Sequence, residues 1–140
     1  MAFHADQREG ERLAGVFAEK VTLDYTSLAG GEPAELTPAE IVAAWTSALG
    51  GYDATQHLIT NHLVDIEGDT AVCTAAFQAT HRLATPHGSP LWTLGGTYRF
   101  GLVRTAGHGC ADQLGGEDYG LGGRQPAPAR GGGTHELNRC

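Results

Sequence analysis

The sequence has no apolar run approaching the ~20 residues that a membrane-spanning helix requires, which argues against a bilayer-crossing role. Its opening, MAFHADQREGERLAG, lacks a basic start followed by an apolar block, so it does not read as a secretory signal, and the expected location is cytoplasmic. Lysine is nearly absent: Lys20 stands beside eight arginines, and 16 acids outweigh them to a net charge of −7. With no local basic stripe to offset it, that balance repels phosphate backbones, and no nucleic-acid partner is expected. Cysteine is scarce and odd in number. Cys73, Cys110 and Cys140 have no metal-ligand spacing and supply no disulfide framework. Cys73, within AVCTAAF, reads as a small core residue. His4, His108 and His135 lie near the ends and form no ligand set with the cysteines, so no metal is expected.

What is present fits one domain: 140 residues, 41% of them hydrophobic, support a single core. Residues 7–20 place Leu13, Val16 and Phe17 at helical spacing. VTLDYTSL then alternates, with Val21, Leu23 and Tyr25 on one face, as a half-buried strand does. AGGEPAE reads as a loop. Thr37, Pro38 and Glu40 form a helix start, and the helix they open carries Ile41, Val42, Trp45 and Leu49 before stopping at Gly50-Gly51. From Thr55 the period changes to two. TQHLITNHLVDI, a turn at Glu67-Gly68-Asp69 and TAVCTAAFQATHRL predict a long hairpin. After the loop ATPHGSP, WTLGGTYRFGLVR predicts a third long strand with Gly95-Gly96 at a bulge or bend. The expected fold is α+β, a curved antiparallel sheet wrapped around N-terminal helices.

The pattern then breaks. Residues 107–140 hold 10 of the 21 glycines, and their branched aliphatics are Leu114, Leu121 and Leu137. The expected organisation is a domain over 1–107 followed by a Gly-rich, disordered tail over 108–140. GLGG in that tail lacks the strand-turn-helix context of a phosphate loop.

Four residues could form an acid–base site: Asp6, Tyr25, His57 and His81. Two histidines facing one cavity could move a proton on and off a substrate. A carboxylate bonded to one ring would fix its tautomer, and a tyrosine hydroxyl could donate to a carbonyl oxygen gathering charge. Strand parity sets His81 on the face of Cys73 and Phe77. Asn61 falls on the face of His57, and Trp92, Leu94 and Tyr98 share a face suited to an apolar pocket wall with Leu23 and Phe77. Each also has a plainer reading: surface histidine, helix-start acid, satisfied core tyrosine.

The stretch from Ala2 to Gly107 resembles the SnoaL-like (nuclear transport factor 2-like) family. Asp24-Tyr25-Thr26-Ser27, Thr55-Gln56-His57 and Thr80-His81-Arg82 resemble segments of the scytalone dehydratases. ADQREGERLAGVF resembles the segment of the hexachlorocyclohexane dehydrochlorinases that holds their catalytic aspartate. The resemblance implies a cone-shaped α+β barrel, an Asp6–His57 dyad, a second histidine at His81 and a water-polarising tyrosine at Tyr25. It implies a cofactor-independent lyase, a dehydratase or a related isomerase or cyclase, acting on a small hydrophobic cyclic or polyketide-like molecule. A dimer or trimer is compatible with it, and so is a non-catalytic binding module or a truncated, inactive member. Departures accompany it. The dehydratases' other tyrosine falls at Ala5, and their polar serine and asparagine fall at Gly96 and Tyr98, leaving a more apolar pocket. The dehydrochlorinases' last-strand arginine has no match. Family members also carry a further helical turn or two before the position of Asp6, and a Gly-Trp-x-Ile strand where this chain reads HGCADQLGG. A misplaced start and a frameshift near Gly107 are the corresponding expectations.

Overall fold

In the computed structural model, residues 1–105 and 108–123 are described. The chain opens with two short helices, α1 (Ala2–Asp6) and α2 (Gly10–Ala14), before strand β1 (Phe17–Asp24). The single helix expected over 7–20 is therefore cut to α2, with a separate helix before it and its last residues in β1. Arg8 takes a positive φ of 57° between the helices, and Phe17 is drawn into β1, where it pairs with Ala111 and packs edge-on against Trp45 at 5.8 Å. Tertiary pairing overrides the helical spacing. After β1 come α3 (Thr26–Ala29), the short strand β2 (Ala34–Leu36) within the expected loop, and α4 (Pro38–Leu49). The start of α4 is as the sequence implies: Thr37 and Glu40 close a reciprocal capping box with proline at the first turn. The helix ends at Gly50, a place for glycine, since a Cβ there would lie 2.6 Å from the Thr46 carbonyl oxygen.

Three long strands follow, β3 (Ala54–Glu67), β4 (Thr70–Arg82) and β5 (Leu91–Thr105), paired antiparallel as expected. The β4–β5 pairing runs unbroken through Gly95 and Gly96, and the register shifts fall instead in the pairing of β5 with the strand on its other side, at Thr93/Leu94 and Gly101/Leu102. A sixth strand, β6 (His108–Gly123), completes one sheet of order β2-β1-β6-β5-β4-β3. The architecture is α+β as expected, but the sheet is open and mixed, because β1 and β6 run parallel.

The unpatterned tail expected from residue 108 thus meets a strand over 108–123; residues 124–140 lie outside the described residues. Glycine disfavours a strand through side-chain packing and entropy. Here backbone pairing with both β1 and β5 compensates, while Leu114 at 1% exposure supplies the apolar anchor.

Two clusters make the core. One gathers Ala5, Leu13, Phe17, Val21, Leu23, Ile41 and Leu114; the other joins Phe77, Ala79 and Leu94, with Ile59 and Trp92 packed on it. Tyr98 touches both and stacks on Phe77 at 4.0 Å. Among the described residues no helix is long and apolar enough to cross a membrane.

Candidate active site

In an antiparallel pair, directly opposed residues share a face. The register sets Thr55 opposite His81 and His81 opposite Trp92, then His57 opposite Ala79 and Ala79 opposite Leu94. His57 and His81 are therefore diagonal neighbours on one face. Their rings stand 5.8 Å apart, nearly perpendicular.

Asp6 reaches this face from the last residue of α1, which packs against β3. Its Oδ1 lies 2.8 Å from His57 Nδ1. Thr55 Oγ1 donates to that same oxygen at 2.8 Å, and the His57 backbone N–H donates to Oδ2 at 2.8 Å. Among the described residues β3 is at the sheet's edge, and this N–H goes to the α1 carboxylate. Burial raises the Asp6 carboxyl pKa, but the His57 amide, the His57 ring and Thr55 together hold it below its ordinary value. An ionised carboxylate only accepts hydrogen bonds, so His57 carries its proton on Nδ1 and leaves Nε2 for chemistry.

His81 is 4% exposed, and its Nδ1 has no hydrogen-bond partner among the described residues. The Tyr52 ring lies 4.9 Å from it and the Trp92 ring 4.7 Å. Arg8 Nη2 ties the Tyr52 carbonyl to the α1–α2 corner at 3.0 Å. Burial, reinforced by the neighbouring His57, lowers the His81 pKa to about 4; the Trp92 backbone and Asp6 pull weakly the other way.

Protonation of His81 is thus linked to folding. The unfolded imidazole takes a proton near 6.5 and the folded one only near 4, so across that window the unfolded chain holds the extra proton. Stability should rise with pH from about 4 to 6.5 and level off above. Asp6 acts in the same sense below its ordinary value, since its lowered pKa stabilises the fold only while it stays ionised. Tyr52→Ala, by opening His81 to water, should raise its pKa toward 6.5. NMR titration of the imidazole protons reads this, and an unchanged titration would show that Tyr52 is not what buries the ring.

The remaining sequence-based candidates divide. Phe77 and Leu94 are buried, Trp92 is half-buried beside His81, and Tyr98 lies further along β5. Leu23 is buried in the first cluster rather than beside the histidines. Tyr25 has left the strand: Asp24 Oδ1 accepts from Thr26 N and Oγ1, turning the chain into α3, and Tyr25 packs half-buried on the first cluster. By register it is level with Tyr98 rather than with the His81–Trp92 rung, since Asp24 pairs with Gly115 and Tyr98 with Gly116. Asn61, expected to face the pocket, is exposed; it sits at a bulge between Thr60 and Leu63 with φ 54°, where alternation breaks. Thr55 and Tyr52 were not singled out from the sequence. Thr55 shares strand parity with His57 and could have been found that way, whereas Tyr52, in the turn after α4, carries no such signal.

Among the described residues no group of three or more His, Cys, Asp or Glu could hold a metal. A cavity of about 60 Å³ is lined by His4, Arg8, Leu13, Trp45 and Leu49, among others, and by neither His57 nor His81. Ligand pockets usually exceed about 300 Å³, so it is too small to serve as one.

No curated protein matches this chain. Among solved structures, the Kfla4162 protein of Kribbella flavida is 27% identical with a TM-score of 0.81, over 89% of this chain and 85% of that one. A candidate scytalone dehydratase from Novosphingobium aromaticivorans is 19% identical, TM-score 0.68, covering 88% and 81%. The hexachlorocyclohexane dehydrochlorinase LinA-type3 of Novosphingobium barchaimii is 12% identical, TM-score 0.70, covering 89% and 82%. The last two likenesses concern the fold alone. The SnoaL-like domain model matches residues 1–108, and with helices, sheet and sequence in agreement, the chain belongs to the SnoaL-like domain family.

Proposed function

We propose that this protein is a cofactor-independent acid–base lyase, a dehydratase in the first instance, acting on a small hydrophobic cyclic or polyketide-like molecule that carries a hydroxyl β to a carbonyl. The observation that carries this reading is the Asp6–His57 pair at 2.8 Å with a second buried histidine on the same face. His57 Nε2 takes the proton α to the carbonyl while Asp6 stabilises the imidazolium. The electron pair of the broken C–H bond forms the C=C bond as the β C–O bond breaks. The imidazolium returns its proton to the departing hydroxyl, which leaves as water, and the site is restored.

His81, with a pKa near 4, is neutral near neutrality and serves as a hydrogen-bond partner for the hydroxyl rather than as the acid. A protonated His57 beside it reinforces that neutrality. The Trp92 and Leu94 face offers the apolar wall for the ring. Tyr25, level with Tyr98 rather than with His81, has no part in this step.

The test is a panel of β-hydroxy cyclic ketones of the tetralone type, followed by the ultraviolet absorbance of the aromatised product and by deuterium uptake at the α carbon. Turnover by the wild type that falls about 10²–10⁴-fold in His57→Ala is expected. Neither elimination nor exchange above the His57→Ala background, across the panel, would leave the domain as a binding module.

A further inference from the structure

We propose that Thr55 is a positioning residue: its hydroxyl, by sharing Asp6 Oδ1 with the His57 ring, locks the carboxylate in the plane that keeps His57 in one tautomer. The proposal rests on the Asp6–His57 reading above and adds to it a third member on the same strand.

An aspartate carboxylate turns easily about its last side-chain bond, whose torsional preference is broad and roughly two-fold. Without Thr55 the two remaining donors both belong to His57, so carboxylate and ring could shift together. Here Oδ2 is fixed by the His57 backbone N–H at 2.8 Å, and Oδ1 takes the Thr55 hydroxyl and His57 Nδ1, each at 2.8 Å. Three donors around one carboxylate, at 10% side-chain exposure, define its plane.

The geometry behind this is simple. Thr55 and His57 are two apart on β3, so both point to the same face with a spacing set by the pleat. Asp6, arriving from α1, spans them. Threonine is suited to the task because its branched Cβ restricts χ1, so the hydroxyl is held where the carboxylate needs it. Serine would keep the donor but not the stiffness, and valine the shape but not the donor.

The experiment uses the ligand-free full chain and long-range proton–nitrogen NMR of the histidine rings, with the proton as the probe. In the wild type His57 should show a single tautomer, protonated at Nδ1. In Thr55→Val that pure signature should be lost to a mixture, and the Asp6 carboxyl should titrate at higher pH than in the wild type, since one of its donors is gone. Thr55→Ser should restore both readouts. Thr55→Cys, with a weaker donor, should fall between, and it carries the test should the valine variant fail to fold.

A side chain that merely fills space would move the melting temperature without moving the tautomer. A pure Nδ1–H signature in Thr55→Val or, failing that, in Thr55→Cys overturns the proposal. Asp6→Asn separates the two readings: if His57 keeps its wild-type tautomer there, the dyad itself is wrong. If only the Thr55 variants leave it unchanged, the dyad stands and Thr55 has no part in it.

Discussion

Asp6→Asn is expected to leave the fold intact and to lower turnover by about 10³–10⁴-fold, on the scale of other sites where an orienting carboxylate becomes an amide. The reason lies in the hydrogen-bond inventory. The carboxylate accepts at both oxygens, from Thr55 and the His57 ring at one and from the His57 amide at the other. Asparagine accepts at one end only. With its oxygen toward the ring, its NH₂ faces the His57 N–H, donor against donor. With its oxygen toward that N–H, its NH₂ faces Nδ1, which must then accept, and the ring proton moves to Nε2. The nitrogen that should remove a substrate proton is then already occupied. Kinetics on any ketone accepted by the wild type measures the loss, and circular dichroism checks the fold. Unaltered turnover in a folded Asp6→Asn protein would remove the dyad from the mechanism.

Leu114→Ala is expected to cost about 2–5 kcal/mol, a large share of the ~5–15 kcal/mol that holds a domain of this size together. Leu114 is 1% exposed and lies between Leu23 of β1 and Phe100 of β5. Next to it, a Cβ on Gly115 would come within 3.1 Å of the Asp24 Cβ, so β6 sits close against the end of β1. Truncation would leave a cavity where the two strands and α4 meet the first cluster. Urea unfolding measures it. Limited proteolysis supplies a second view: a resistant core ending beyond Gly123 agrees with a native sixth strand, while one ending near Thr105, together with an unchanged midpoint in Leu114→Ala, would mean that β6 adds nothing to stability.

Where local chemistry decides structure, the sequence was legible. Thr37, Pro38 and Glu40 announce α4 because a capping box needs nothing beyond its own four residues. The β3–β4 hairpin and β5 declare themselves by alternation and by the turn at Gly68, whose φ is 58°. The site was partly legible for the same reason, since the parity of His57 and His81 follows from strands that were read correctly. What failed depended on distant partners. Phe17 joins β1 rather than a helix because of Ala111 and Trp45. Strand β6 is not legible because its stability comes from backbone pairing on both sides, which side-chain composition does not reveal. Asn61 is exposed where a bulge breaks the alternation, and Tyr25 leaves its strand because the Asp24 carboxylate bonds Thr26 two residues on. The part of Thr55 in the site is not legible, because a threonine on a strand is ordinary until a carboxylate is found across from it.

The sheet order has a kinetic consequence. Strands β3, β4 and β5 form a meander of sequence neighbours that can pair as soon as they exist. Strand β1, near the chain start, reaches that meander only through β6, the last strand described. Its closing pairs, such as Leu23 with Leu114, span most of the chain. Such long-range closure is entropically slow. On a ribosome adding about 5–20 residues per second, β1 and β2 must wait for seconds with their apolar face uncovered. Leu13 of α2 and Ile41 of α4, both near in sequence, are among the residues that can shelter them. Folding of this domain should therefore end where its chain begins, with strand β1 docking last on β6.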